Sequence, residues 1–146
     1  MNEDKVLLQA NHVKKYFEGR GKNVVKAVDD VSFTLRRGET LGLVGESGCG
    51  KSTFGRTVLH LLESTDGKIL FHGEDITHVT SDKLRSLREN MQIIFQDPFS
   101  SLNPRMTASA TISEPLLLTG RYSKEEIEER TDELMETVGL APRLRH

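Results

Sequence analysis

Nine consecutive residues, Gly45-Glu46-Ser47-Gly48-Cys49-Gly50-Lys51-Ser52-Thr53, carry the spacing G-x-x-x-x-G-K-[ST]. Each residue type in that pattern answers a need of phosphate binding. Glycines at 45, 48 and 50 allow positive φ and bring the backbone close to an anion with no Cβ in the way. The loop N–H groups and the start of a following helix supply donors and a positive dipole end. Lys51 reaches the β- and γ-phosphates as a point charge, and the Ser52 hydroxyl is placed to ligate Mg²⁺. The whole segment, with Glu46, Ser47, Cys49 and Thr53 included, is thus expected to hold a nucleoside triphosphate with Mg²⁺.

A phosphate loop works only between a strand and a helix, and the flanking sequence offers both. Thr40 to Val44 is a short apolar run after the turn Arg37-Gly38-Glu39, and it reads as the preceding strand. Lys51 to Leu62 reads as the helix, with Phe54, Val58, Leu59 and Leu62 forming one buried stripe. Upstream, Val6 to Phe17 reads as a strand with irregular alternation. Val24 to Val28 and then Val31 to Leu35 form its antiparallel continuation across the turn-rich loop Glu18 to Asn23. Downstream, Lys68 to Phe71 is a short strand, and His72-Gly73-Glu74-Asp75 is a turn. Thr80, Ser81 and Asp82 suit the start of a helix that runs to about Glu89. Met91 to Phe95 is a nearly continuous apolar run, as expected of a strand buried on both faces.

From Thr107 the pattern becomes helical. One helix is expected over Ala108 to Leu118 and a second over Lys124 to Val138. The second has a capping box, Ser123 with Glu126, a Gly139 stop, and a buried stripe of Ile127, Leu134 and Val138. Its acidic outer face fits a solvated amphipathic helix.

Composition narrows the class. The 146 residues are 36% hydrophobic and 29% charged, with 20 Lys and Arg and a formal net charge of −2. This is too apolar for disorder and argues against a nucleic-acid-binding surface over the chain. A single cysteine, Cys49, excludes an internal disulfide and fits a reducing cytoplasm. Inside the loop it serves as a small side chain, or as a thiol made acidic by Lys51 and the helix start. The N-terminus lacks the basic-then-apolar pattern of a signal peptide, and no run approaches the length of a membrane span. A membrane association is therefore expected through a partner. His12, His60, His72, His78 and His146 show no metal-ligand spacing and no neighbouring carboxylate, and read as surface or loop residues.

The string from Met91 to Met106, Met-Gln-Ile-Ile-Phe-Gln-Asp-Pro-Phe-Ser-Ser-Leu-Asn-Pro-Arg-Met, resembles the Q-loop region of ATP-binding cassette (ABC) proteins. It is most similar to the ATPase subunits of bacterial oligopeptide and dipeptide importers. The loop Gly-Glu-Ser-Gly-Cys-Gly-Lys-Ser-Thr and the opening Val13-Lys14-Lys15-Tyr16-Phe17 resemble theirs too. The resemblance implies an α/β fold of the P-loop NTPase type: an antiparallel β-subdomain, part of the P-loop core, and the start of a helical subdomain. It divides the chain into residues 1–106 and 107–146. It implies that Tyr16 stacks on adenine, where a flat ring face suits a purine, and that Gln96 completes the Mg²⁺ and attacking-water shell. The helices beyond Gln96 would meet the membrane permease. By residue type alone, Tyr16 is more often a half-buried strand aromatic and Gln96 a polar residue ending a strand. Phe17 is the neighbouring candidate for the stack, and alternation puts Tyr16 and Phe17 on opposite faces.

Partners implied are the transmembrane permease subunits, a second nucleotide-binding subunit (the same or different), and indirectly an extracytoplasmic solute-binding protein. The implied location is the cytoplasmic side of the cell membrane, with peptide favoured as cargo and nickel or another small solute as alternatives. After His146 the family pattern continues into a signature loop, a Walker B strand with its Asp and Glu, and a switch histidine. The chain therefore reads as the N-terminal half of a nucleotide-binding domain, with its P-loop strand short of neighbours and apolar edges exposed. Weak or no ATP hydrolysis is expected of it. A standalone fragment that pairs with an intact ATPase subunit is the alternative reading. A small kinase is disfavoured, because it leaves the 91–106 string unexplained.

Overall fold

The computed structural model describes residues 6–19, 21, 23–97 and 101–141. It divides into two compact units, Met1–Gln92 and Ile93–His146. In the first unit, β1 (Val6–Glu18) pairs antiparallel with both β2 (Val24–Arg36) and β3 (Asp66–Phe71), and β4 (Glu74–Asp75) closes the order β2-β1-β3-β4. The helices are α1 (Lys51–Val58) and α2 (Ser81–Arg88). Thr80 caps α2 by accepting the Lys83 N–H at 3.5 Å, so the Thr80 and Ser81 start read from sequence holds.

The irregular alternation of β1 has a concrete cause. Between the pairs Ala10↔Phe33 and Val13↔Val31 the first strand advances three residues and its partner two. The extra residue is a bulge, and it turns both Ala10 and Val13 into the core although they are three apart. Between Val13↔Val31 and Lys15↔Val28 the excess lies on β2, at Asp29 and Asp30. That explains why β2 reads as two apolar runs, Val24 to Val28 and Val31 to Leu35, yet forms one strand. His12 and Asp30 take positive φ at these two bulges, 53° and 61°. Their side chains meet, with His12 Nδ1 and Asp30 Oδ1 2.6 Å apart.

The core consists of Ala10, Val13, Val28, Ile69, Phe71 and Ile76 from the sheet side, with Phe54, Val58 and Leu87 from the helices. Phe33 meets Phe54 edge-on, ring centres 5.6 Å apart, which holds α1 against β2. The α1 stripe is shorter than its sequence pattern suggests. The helix ends at Val58, and His60 turns away with φ 54°, leaving Leu59 and Leu62 only half-buried.

Two expected strands do not form. Thr40 to Val44 and Met91 to Phe95 have no ladder partner among the described residues. Most of their side chains stand in solvent, Val44 97% and Ile94 95% exposed, while Met91 is partly buried against the core. A strand exists only through its neighbours' hydrogen bonds, so apolar sequence alone does not make one. Leu41, Leu43 and Val44, which precede the P-loop, are exposed, but not as the edge of the strand expected there.

In the second unit, α3 (Ala108–Thr119) and α4 (Lys124–Thr137) follow an Asx turn in which Asn103 Oδ1 accepts the Arg105 N–H at 3.0 Å. Thr107 caps α3 by accepting the Ala110 N–H at 3.1 Å. Gly120 ends the helix in the left-handed region, φ 65°. The capping box of α4 is present: the Ser123 hydroxyl accepts from Glu126 N at 3.2 Å, and Ser123 N donates to the Glu126 carboxylate at 2.8 Å. The buried stripe of α4 differs from the expected Ile127, Leu134 and Val138. It is Ile127, Thr131 and Met135, with Leu134 45% and Val138 65% exposed. Thr131 escapes a search for apolar residues, yet it is buried because its hydroxyl donates to the Ile127 carbonyl at 2.6 Å.

Candidate functional site

The P-loop sits on the bulged hairpin. Lys15 pairs with Val28 but Tyr16 pairs with Lys26, so Ala27 is an extra residue on β2 with no opposite number. Gly50 lies against it. A Cβ on Gly50 would stand 2.1 Å from the Ala27 carbonyl oxygen, and its φ of 97° is one that side-chain-bearing residues avoid. Gly50 is the N-cap of α1, and Phe54 N donates to its carbonyl at 2.8 Å. The bulge on β2 thus fixes where the helix begins.

No side chain caps this helix end, and its first turn carries no acidic residue. The first N–H groups of any helix lack intrahelical partners. Two residues before the cap, Gly48 has φ 81°, and the position of a Cβ on it is open. Gly45 does not take positive φ, in contrast to the expectation for all three loop glycines. Its role is space, since a Cβ there would come within 2.6 Å of the Cys49 sulfur. Glu46, Ser47, Cys49 and Ser52 are exposed, while Thr53 is half-buried and its carbonyl accepts from Thr57 Oγ1 at 2.8 Å.

Lys51 is folded over the loop. Its Nζ donates to the carbonyls of Gly45 at 2.7 Å and Glu46 at 2.6 Å, and lies 3.5 Å from Cys49 Sγ. The ammonium is therefore held over the loop that leads into the uncapped helix end. An oxyanion fits this donor set: amide N–H groups, a helix dipole and a cation converge, with no carboxylate facing them within the loop's own hydrogen bonds. Ser52 is exposed at the second helical position, and its hydroxyl is of the type that can ligate Mg²⁺.

Tyr16 is the other predicted contact in the first unit. Its backbone N–H donates to Thr65 Oγ1 at 2.9 Å, and its hydroxyl donates to Asp29. Lys26 Nζ binds the other oxygen of Asp29 at 3.2 Å and stands 5.1 Å from the centre of the Tyr16 ring. The bond to Asp29 raises the Tyr16 phenol above its ordinary value, and the same bond, with that of Lys26, lowers the Asp29 carboxyl. Phe17 has a cation as well, Lys15 Nζ at 5.0 Å from its ring centre, but no polar handle.

Gln96 lies in the second unit, exposed, in the segment that forms no strand. A groove of about 650 Å³ in that unit, lined by Ser113, Leu117, Tyr122, Ile127 and Thr131 among others, includes none of the predicted contacts.

Sequence reading missed Asp29, Lys26 and the Ala27 bulge. The available signal was two adjacent aspartates inside an otherwise apolar strand, a composition that strands disfavour. It also placed no carboxylate near a histidine, whereas the fold brings Asp30 to His12 across the hairpin. His60 lies in a turn, within the surface-or-loop expectation, and is half-buried. Among the described residues its Nε2 has no hydrogen-bond partner, and burial holds its imidazole below the usual range.

Comparison with known proteins identifies the family. The sequence pattern of the ABC transporter family matches residues 28–146. The chain is 52% identical over 143 residues to the oligopeptide transport ATP-binding protein AppF of Bacillus subtilis, covering 93% of this chain and 44% of that one. It is 45% identical over 149 residues to the oligopeptide transport ATP-binding protein OppF of Escherichia coli, covering 96% and 45%. It thus spans about half the length of the curated relatives it matches. Among solved structures, a post-hydrolysis state of the ATP-binding cassette MJ0796 bound to ADP and Pi superposes with a TM-score of 0.79. The two are 26% identical, and the match covers 95% of this chain and 60% of that one. The family pattern takes in the whole phosphate loop and the start of α1 and matches well over half of the sequence: the chain belongs to the ABC transporter family.

Proposed function

We propose that this chain is the nucleotide-holding part of the ATP-binding subunit of a bacterial peptide importer. The observation that carries the binding reading is the convergence at Gly45 to Thr53 of an uncapped helix start, positive-φ glycines and the Lys51 ammonium. An arriving phosphate competes with the Gly45 and Glu46 carbonyls for Lys51, and the loop N–H groups donate to its oxygens. Ser52 would supply a hydroxyl ligand for Mg²⁺, whose charge would offset that of the phosphate oxygens. Tyr16 offers its ring to the adenine. Its cross-strand neighbour Lys26 adjoins the Ala27 that Gly50 touches. Strand geometry puts the ring on the order of 10 Å from the loop, comparable with a nucleotide's reach from base to phosphate.

The peptide cargo is supported by the relatives, which are oligopeptide transport ATP-binding proteins. By the same reasoning the partners are permease transmembrane subunits at the cytoplasmic face of the membrane, a second nucleotide-binding subunit, and indirectly a solute-binding protein. No helix among the described residues is long and apolar enough to cross a membrane. The cradle and the Ser52 hydroxyl support binding of Mg-ATP. The test is calorimetric titration with Mg-ATP. Lys51→Ala is expected to weaken binding about 100-fold, since a charge-assisted contact to phosphate is lost. Unchanged affinity in that variant would sink the proposal.

A further inference from the structure

We infer that Asp29 and Lys26 are positioning residues for the base platform, holding the Tyr16 ring so that one face alone is presented to the nucleotide base. The inference rests on the reading of Tyr16 as the adenine contact and adds to it the device that orients the ring.

An aromatic side chain on a two-stranded edge turns about χ1 and χ2 unless something fixes it. Three contacts fix this one. Thr65 holds its backbone through the bond from Tyr16 N, Asp29 holds the far end through the phenol hydroxyl, and Lys26 stands over the ring. Lys26 is itself tied to the second oxygen of Asp29. The carboxylate therefore holds both the ring and the cation on it. A cation over one ring face is attracted by the π electrons, and it takes that face from any stacking partner. The opposite face is left to stack.

The bulge makes the arrangement possible. Without the extra residue, the partner of Lys15 would be Ala27 rather than Val28, and every later residue of β2 would shift by one. Asp29 would then sit one position further along the strand from Tyr16. The same residue, Ala27, carries the carbonyl against which Gly50 rests. One local irregularity thus sets the ring clamp and the start of the phosphate loop together. Phe17, on the other face of β1, has its own lysine and no carboxylate. It lacks the clamp.

The experiment uses the full chain and two probes, Mg-ATP and Mg-tripolyphosphate, which share the phosphates and differ in the base. Tyr16→Ala is expected to abolish the preference for Mg-ATP, while Phe17→Ala keeps it. Asp29→Ala is expected to weaken Mg-ATP about threefold to tenfold and leave tripolyphosphate unchanged, the scale of one oriented contact. Asp29→Asn keeps an acceptor for the phenol and should recover most of the loss. Tyr16→Phe, nearly isosteric, should match Asp29→Ala, and combining the two should cost no more than either alone. If Tyr16→Ala removes the preference but Asp29→Ala and Tyr16→Phe retain it, the clamp is refuted and the platform stands. If Tyr16→Ala also retains it, the platform itself fails and the clamp with it. A parallel loss of both probes in Asp29→Ala assigns Asp29 to folding and overturns the inference.

Discussion

Helices α1 and α4 begin with the same problem and solve it in opposite ways. Each has backbone N–H groups at its start that the helix cannot satisfy. At α4 the chain supplies the acceptors itself: Ser123 and Glu126 bond each other's backbone, and Glu125 and Glu126 add negative charge to the first turn. At α1 there is no side-chain acceptor and no acid, and the residue at the cap is a glycine wedged on a neighbouring strand. A helix start closed by its own residues is a structural end. One left open, positioned by tertiary contact and paired with a lysine, is an end reserved for an anion. The difference lies in who provides the negative charge.

The comparison can be broken most severely at Gly50. Gly50→Ala places a Cβ on the Ala27 carbonyl and forces an L-residue to φ 97°, for an expected loss of at least about 3 kcal/mol. Denaturant unfolding followed by circular dichroism measures it. Gly48→Ala carries the φ strain without the collision, and about 1–2 kcal/mol is expected. Equal losses in the two variants would mean that β2 does not hold the start of α1.

At the closed end the effects are smaller. Ser123→Ala removes one half of the capping box and should cost about 1 kcal/mol, with Mg-ATP affinity unchanged. A change in affinity would blur the distinction between the two ends. The smallest effect is electrostatic. The backbone and hydroxyl bonds of Ser123 hold the Glu126 carboxyl below its ordinary value. A lowered folded-state pKa contributes stability above the ordinary value and loses it as pH falls through the lowered one. Acid titration of the wild-type chain should therefore show a loss in that window that Glu126→Gln lacks. Superimposable difference curves would show that the charge contributes nothing to the cap.

These contrasts also mark what was legible in the sequence. Local chemistry was readable: the glycine and lysine spacing of the loop, the Ser123 and Glu126 pair, the Thr80 and Thr107 starts, and the antiparallel pairing of the first two strands. What depends on neighbours distant in sequence was not. Leu41, Leu43 and Val44 have strand composition and no strand, because pairing needs a partner among the described residues and has none. Thr131 is polar by type and buried by virtue of a hydrogen bond. The bulges of the hairpin show in the sequence only as broken alternation and a pair of ill-placed aspartates. Their positions follow from pairing register, which sequence periodicity leaves open.

The register at Ala27 also makes the hairpin a gauge. The stretch from Tyr16 across to Lys26 and along to Ala27 separates ring from loop by a fixed count of residues. An insertion in the connecting loop between β1 and β2 leaves that count untouched, because it lies beyond both ends of the measured stretch. An insertion or deletion at Ala27 changes it by a whole strand step, about 3.3 Å. Length changes at these two places, only a few residues apart in sequence, should therefore have opposite consequences: one tolerated as spare chain, the other reset as a different ligand length.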